Sequence, residues 1–257
     1  MESSAQWIAF RTIVRKEIRR FTRIWVQTLL PPAITIALYF VIFGNLIGSR
    51  IGKMAGYDYI DYIVPGLIMM SIITNSYSNV VSSFFSTKFQ RSVEELLVSP
   101  VPNYVIIWGF VVGGISRGLS VGAIVTVLAL FFADLKLVSL FVTVSIVVLT
   151  ASVFALAGFI NAVYAKSFDD ISIVPTFVLT PLTYLGGVFY SIDLLPEFWA
   201  NVSLVNPIVY MVNGFRYGIL GVSDVNLGVT YGMLVLFVAG LYAWAWYLVS
   251  RGVGLRT

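Results

Sequence analysis

The sequence contains no cysteine and no histidine. Their absence excludes a disulfide framework, a Cys/His zinc site, a cysteine nucleophile and a histidine general base. Charge is scarce as well. Asp, Glu, Lys and Arg make up 11% of the 257 residues, against about 25% in ordinary soluble domains. Carboxylate or lysine chemistry stays open, but only 12 acidic residues exist to supply it. A phosphate-binding loop is missing too. The Gly52-Lys53 pair is followed by Met54 and lacks the upstream glycine that the loop requires, so the chain cannot bind ATP by that device.

What the sequence has in excess is apolar surface. Hydrophobic residues reach 59%, where a soluble domain carries about 45–50%, so the bilayer is the expected solvent. Uncharged stretches run Ile24–Ser49, Tyr62–Thr87, Leu96–Ala133 (interrupted by Arg117), Leu137–Ala165, Ile171–Ile192 and Val225–Ser250. A helix needs about 20 apolar residues to cross the hydrocarbon core. These stretches predict six spans at about residues 25–47, 62–86, 104–132, 138–164, 171–191 and 227–250. Phe198–Phe215 is uncharged but holds Asn201, Ser203, Asn206, Pro207 and Asn213. It reads as a re-entrant pair of short helices at about 194–217, a backbone tolerated at membrane depth only under cover of protein or a watery cavity. The expected fold is all-α, a polytopic membrane protein with one domain over residues 1–257. No internal repeat or low-complexity tract is evident.

The few charges set the expected orientation. With both termini in the cytoplasm, Arg11, Arg15, Lys16, Arg19, Arg20, Arg23, Lys88, Arg91, Lys166, Arg251 and Arg256 lie inside. Arg50, Lys53, Lys136 and Arg216 lie outside. At the N-terminus, Trp7, Phe10, Val14, Ile18, Phe21 and Trp25 recur at three- or four-residue steps beside Arg11, Arg15, Arg19 and Arg23. Residues 1–23 therefore predict a basic amphipathic helix, lying on the inner membrane surface or on a partner protein.

Three features invite a functional reading. The second span carries Ser71, Asn75, Ser78, Ser82 and Ser86 at three- or four-residue steps, a face widened by Asn79 and Ser83. Lipid penalises such groups, so this face meets protein or water, as a translocation wall, a subunit seam or an internal hydrogen-bonded contact. The fifth span repeats the pattern weakly with Thr176, Thr180 and Thr183, and Pro175 and Pro181 should kink it. Arg117 is the one charge inside a span, among glycines that include Gly114, Gly118 and Gly122. It either reaches inner headgroups or contacts an anionic or lipid-like substrate. Between spans two and three, residues 88–98 form a short charged helix before Pro100 and Pro102. It is a candidate docking element for a cytoplasmic partner.

A transporter with no phosphate loop must take its energy from elsewhere. Ion-driven carriers place carboxylates or histidines within spans, whereas every Asp and Glu here falls at a span end or in a loop. A separate ATPase subunit fits best. An ion-coupled secondary transporter and a membrane-embedded lipid-modifying enzyme are the alternatives, the latter resting on Asp169–Asp170 or Glu94–Glu95.

Several ordered segments carry a family resemblance: Arg23–Thr28, Phe43–Arg50, Val64–Met70, Phe168–Ser172, Val174–Tyr190, Leu195-Pro196, Asn206–Tyr210 and Gly214–Tyr217. Together they resemble the permease subunit of type-two ATP-binding-cassette exporters over nearly the whole chain. The resemblance implies a bacterial inner-membrane homodimer with two separate ATPase subunits, a two-plus-two assembly, and no cofactor in this chain, ATP and Mg residing on the partner. It implies an interface helix at residues 1–23 and a coupling helix whose ATPase contacts are Gln90, Arg91, Glu94 and Glu95. The path would run between spans two and five of the two copies, past Ser71, Asn75, Ser78, Asn79, Ser82, Thr176, Thr180 and Thr183. The cargo would be a hydrophobic, lipid-linked or glycan-type compound. Neither a catalytic residue, a metal site nor nucleic-acid binding is expected.

Overall fold

The N-terminal apolar steps become one helix, α1 (Ser3–Arg23). The computed structural model describes residues 3–255. Met1 and Glu2 of the expected interface helix, and Arg256 of the inner charge set, lie outside the described residues. The buried line of α1 is Ile13, Glu17 and Phe21, while Arg11, Arg15, Arg19 and Arg23 are exposed. Trp7 and Trp25, at the ends of the expected apolar stripe, are exposed as well. The helix therefore rests on protein along a face rotated slightly from the one that the sequence pattern suggested.

Next come α2 (Trp25–Thr28) and α3 (Leu30–Tyr39), with Pro31 and Pro32 in its first turn, where no backbone donor is lost. A π-helical stretch, Phe40–Ile47, leads into α4 (Gly48–Ile51). A small antiparallel hairpin pairs β1 (Lys53–Met54) with β2 (Tyr57–Asp58). Its turn residues Ala55 and Gly56 both have positive φ, the geometry that a tight two-residue hairpin needs. Apart from these strands, regular structure among the described residues is helical.

The long helix α5 (Tyr59–Phe89) is the spine. It packs against α7 (Asn103–Ala129), α8 (Leu140–Tyr164) and α12 (Pro207–Leu220). The short α6 (Ser92–Val98) links α5 to α7. Glycines let α7 meet two neighbours at once. A Cβ at Gly113 would run into Glu17 of α1, and one at Gly114 would meet Val80 and the Ser76 carbonyl of α5. These are the small-residue approaches by which helices associate in lipid.

By length and composition, four helical stretches among the described residues can cross a membrane: Trp25–Gly44, Asn103–Ala129, Leu140–Tyr164 and Leu227–Arg251, the last being α13. The expected second span lies within α5, which is long enough but rich in Ser, Thr and Asn. The expected fifth span is three short pieces: α9 (Asp170–Val174), a π-helical turn Pro175–Leu179, and α10 (Thr180–Tyr184). The interruption begins at Pro175, and the helix ends before the Gly186-Gly187 turn, where Gly187 has φ 69°. Asp170 sits in the first turn of α9 and not at its cap. Its Oδ2 accepts from the Lys166 and Ser167 backbone N–H groups at 2.8 and 3.1 Å. The Lys166 N–H, then Ser167, hold that carboxyl below the usual carboxylate range.

The 194–217 segment contains α11 (Glu197–Val205) and α12, broken at Asn206, whose Oδ1 accepts from Ile208 N at 3.0 Å. Arg216, counted with the outer charges by sequence, is fully buried. Its guanidinium donates to the Gly187 carbonyl at 2.7 Å, Asn213 Oδ1 at 3.1 Å and the Tyr62 carbonyl at 3.3 Å, and lies 4.0 Å above the Tyr62 ring. One side chain thus ties α12 to the start of α5 and to the turn after α10.

Candidate functional site

The polar face of α5 divides in two. One part is held by charges from other helices. Arg20 of α1 donates through Nη2 to both the side-chain and main-chain oxygens of Asn79. Ser83 donates to Glu17 Oε1 at 2.7 Å, and Glu17 Oε2 lies 3.5 Å from Arg20 Nε. Arg117 Nη2 donates to Asn75 Oδ1 at 3.1 Å and to the Thr28 carbonyl at 3.4 Å. Glu17 Oε2, Arg20 Nε, Ser76 Oγ, Asn79 Nδ2 and Arg117 Nε are buried without a hydrogen-bond partner. Internal bonds to the helix backbone occupy Ser71 (to Leu67 O, 3.0 Å) and Ser82 (to Ser78 O, 2.7 Å).

The other part opens on a groove of about 400 Å³ between α3, α5 and α10. Pro31, Pro32, Thr35, Ile36 and Tyr39 form one wall, and Met70, Ser71, Thr74 and Asn75 the floor. Thr180 and Tyr184 form the other wall. The hydroxyls of Tyr39 and Tyr184 meet across it at 3.1 Å. Of the eight path residues expected from sequence, Ser71, Asn75 and Thr180 come together here. Ser78, Asn79 and Ser82 lie further along α5, and Asn79 is buried against α1. Thr176 is exposed in the π-helical turn, and Thr183 is buried, donating to the Leu179 carbonyl at 2.7 Å. Thr180 donates through its hydroxyl to the Pro175 carbonyl at 2.8 Å, which also accepts the Thr180 backbone N–H in the π-helical turn.

Sequence reasoning missed Thr74, Glu17 and Arg20. Thr74 stands three residues after Ser71 and four before Ser78, so helical spacing alone marks it. Glu17 is the one acidic residue in α1 and falls seven residues after Phe10, on the apolar face. A carboxylate there signals a buried partner.

At the opposite end of α5, α6 carries the candidate docking residues. Arg91 adopts φ 60°, a left-handed conformation that turns the chain sharply out of α5. Gln90, Arg91, Glu94 and Glu95 are exposed, Val93 is buried, and Val98 is 87% exposed. Glu94 and Glu95 occupy the first turn of α6, where backbone N–H groups favour negative charge. Beside them Lys88 Nζ donates to the Val163 and Ala165 carbonyls at 2.6 and 2.7 Å, closing the end of α8. Burial pushes the Lys88 pKa below the ordinary lysine value.

Residues 8–220 match the family model described as ABC-2 type transporter. The chain is 62% identical over 251 residues to the Inner membrane transport permease YadH of Escherichia coli (strain K12), covering 98% of each chain. It is 23% identical over 232 residues to Nodulation protein J of Rhizobium meliloti (strain 1021), covering 90% of this chain and 87% of that one. Nodulation protein J of Rhizobium leguminosarum bv. trifolii is 22% identical over 236 residues, covering 91% and 89%.

Proposed function

The chain belongs to the ABC-2 type transporter family, and from that premise we propose that it is the inner-membrane subunit of an ATP-driven exporter. Two copies pair with two copies of a separate ATPase, which holds the ATP and Mg. The cargo is a hydrophobic, lipid-linked or glycan-type compound, moved outward by alternating access. Both termini lie in the cytoplasm, α5 and the α9–α10 stretch complete a set of six spans, and α11–α12 form a re-entrant element.

The observation that carries this reading is the groove. It is open along the flank of the subunit, and its polar floor on α5 lies between the exposed walls of α3 and α10. A second copy facing it would turn two half-grooves into one path, completed by the hydroxyls of Ser71, Thr74 and Thr180. Ser78, Asn79, Ser82, Thr176 and Thr183 serve the path at one remove, through the helices that frame it. ATP biases the assembly by favouring one arrangement over another, and Gln90, Arg91, Glu94 and Glu95 pass that bias from the ATPase to α5. An ion-coupled carrier would want a carboxylate facing the groove. The buried carboxylate, Glu17, is instead held by Ser83 and Arg20.

The cysteine-free sequence makes the test clean. Thr74→Cys and Thr180→Cys should each cross-link two copies in membranes, and trapping the partner ATPase in its closed state should change the yield. No cross-link between copies at either position, in any nucleotide state, would remove the shared path.

A further inference from the structure

Arg117 lies beside the groove without a counter-charge. It projects from α7, a helix long and apolar enough to cross the membrane. Its two acceptors are neutral, Asn75 Oδ1 and the Thr28 carbonyl. Its charged neighbour is a second cation, Arg20, whose own carboxylate is Glu17. Among the described residues no carboxylate pairs with Arg117, and its Nε is buried without an acceptor. Two arginines against one glutamate leave this region with one unmatched positive charge. An intramembrane cation costs several kcal/mol unless paired, so its retention asks for an anion that this subunit does not supply.

The geometry says from which side the anion arrives. Asn75 accepts from Arg117 and also lines the groove floor. Thr28 stands three residues before Pro31, at one end of the groove wall. From that end α3 runs to Tyr39, a distance of about 13 Å at the helical rise, along a wall of Ile36 and Tyr39 that suits an apolar body. Asn75 is a neutral amide whose Nδ2 donates to the Ser71 carbonyl at 2.9 Å, so turning it aside to expose Arg117 breaks one bond within its own helix and strands no charge. We propose that the groove takes an anionic amphiphile as cargo: a single phosphate or carboxylate drawn to Arg117 at the Thr28 end, with its apolar chain along α3 and Tyr184. The proposal rests on the transport-path reading above and adds the charge and polarity of the cargo to it.

The test uses the full chain in discs of zwitterionic phosphatidylcholine, with two probes: a dansyl-labelled undecanoic acid and its methyl ester. The acid should bind at least about tenfold tighter than the ester, a factor worth about 1.4 kcal/mol. Arg117→Gln should erase that preference, and Arg117→Lys should keep most of it. Equal binding of acid and ester by the unaltered chain overturns the proposal whether or not any variant folds. Thr74→Trp, which fills the groove, should weaken both probes. If Thr74→Trp weakens both but the acid holds no advantage, the groove stands and the anionic cargo falls. If Thr74→Trp leaves both unchanged, the groove itself is not the site, and both readings fall. Adding phosphatidylglycerol to the discs should leave the acid bound. Its displacement would assign the cation to a resident membrane lipid and overturn the cargo reading.

Discussion

Arg20 grips Asn79 twice with one nitrogen, at 2.8 Å to the side-chain oxygen and 2.9 Å to the main-chain carbonyl. The carboxylate beside it, Glu17, is fully buried, whereas the Arg20 side chain keeps 28% of its surface exposed. The two halves of this ion pair should therefore respond unequally to mutation. Arg20→Met strands a buried carboxylate and should cost about 3–5 kcal/mol. Glu17→Gln keeps a hydrogen-bonding group for Ser83 and leaves a cation that can reach solvent, so it should cost less than half as much. Thermal unfolding of the purified chain in detergent would check the order. Equal losses would mean that the network is wetter than its burial suggests.

Glycine on α7 and glycine on α13 should behave in opposite ways. Gly114→Ala forces a methyl against the Ser76 carbonyl, 2.9 Å from the ideal Cβ. Overpacking of this kind costs about 1–3 kcal/mol. Gly232 and Gly240 of α13 have open space around the same position. Alanine there should be neutral or should stabilise by up to about 1 kcal/mol through helix propensity. Melting temperatures of the three single variants give the comparison directly.

The turn into α6 makes its own demand. Arg91 holds a left-handed backbone that most side chains resist. Arg91→Gly should relax the turn, while Arg91→Val should strain it by about 1–2 kcal/mol. If α6 transmits force from the ATPase, Arg91→Val should also lower stimulated ATP hydrolysis more than Arg91→Gly does. Glu94→Ala together with Glu95→Ala should weaken co-purification of the ATPase. Unchanged binding and stimulation in that double variant would end the docking assignment.

Orientation can be read by labelling single cysteines in intact cells and in inverted vesicles. Lys53→Cys, in the β hairpin, should react with a membrane-impermeant maleimide from outside. Glu95→Cys should react only in inverted vesicles. The reverse pattern would turn the chain over and separate α6 from any cytoplasmic ATPase.

Much of this architecture can be read from where charge is absent. Uncharged stretches bracket α8 and α13 to within three residues, the Leu96–Ala133 stretch contains α7, and Asn206-Pro207 marks the break between α11 and α12. The first and fifth stretches were harder. Pro31, Pro32, Pro175 and Pro181 announce irregularity, yet a sequence does not say whether a proline bends a helix, starts one or widens it. The groove was half legible. Helical spacing groups Ser71, Asn75, Ser78, Asn79 and Ser82 on one face, but the rise of α5 carries that face past three different neighbours. Asn75 meets Arg117, Asn79 meets Arg20, and Ser71 meets the groove. Which residue belongs to which neighbour is fixed by pairings 42 and 59 residues apart in sequence, and a periodicity argument has no access to these. Arg216 shows the same limit from the other side. Counting charge treats it as a surface marker, and only the carbonyls that converge on it reveal a buried clamp.

The contacts of α1 also bear on how the molecule is assembled during synthesis. Ser83 lies 66 residues after Glu17 in the chain, and Gly113, which accommodates the same glutamate, comes later still. Translation delivers an N-terminal segment first, so α1 leaves the ribosome before any of its partners exist. Until then Glu17 lacks Ser83 and Arg20 lacks Asn79. Although α1 precedes the other described helices in the chain, it cannot be seated until both α5 and α7 have followed it, so its docking closes the packing of the N-terminal half.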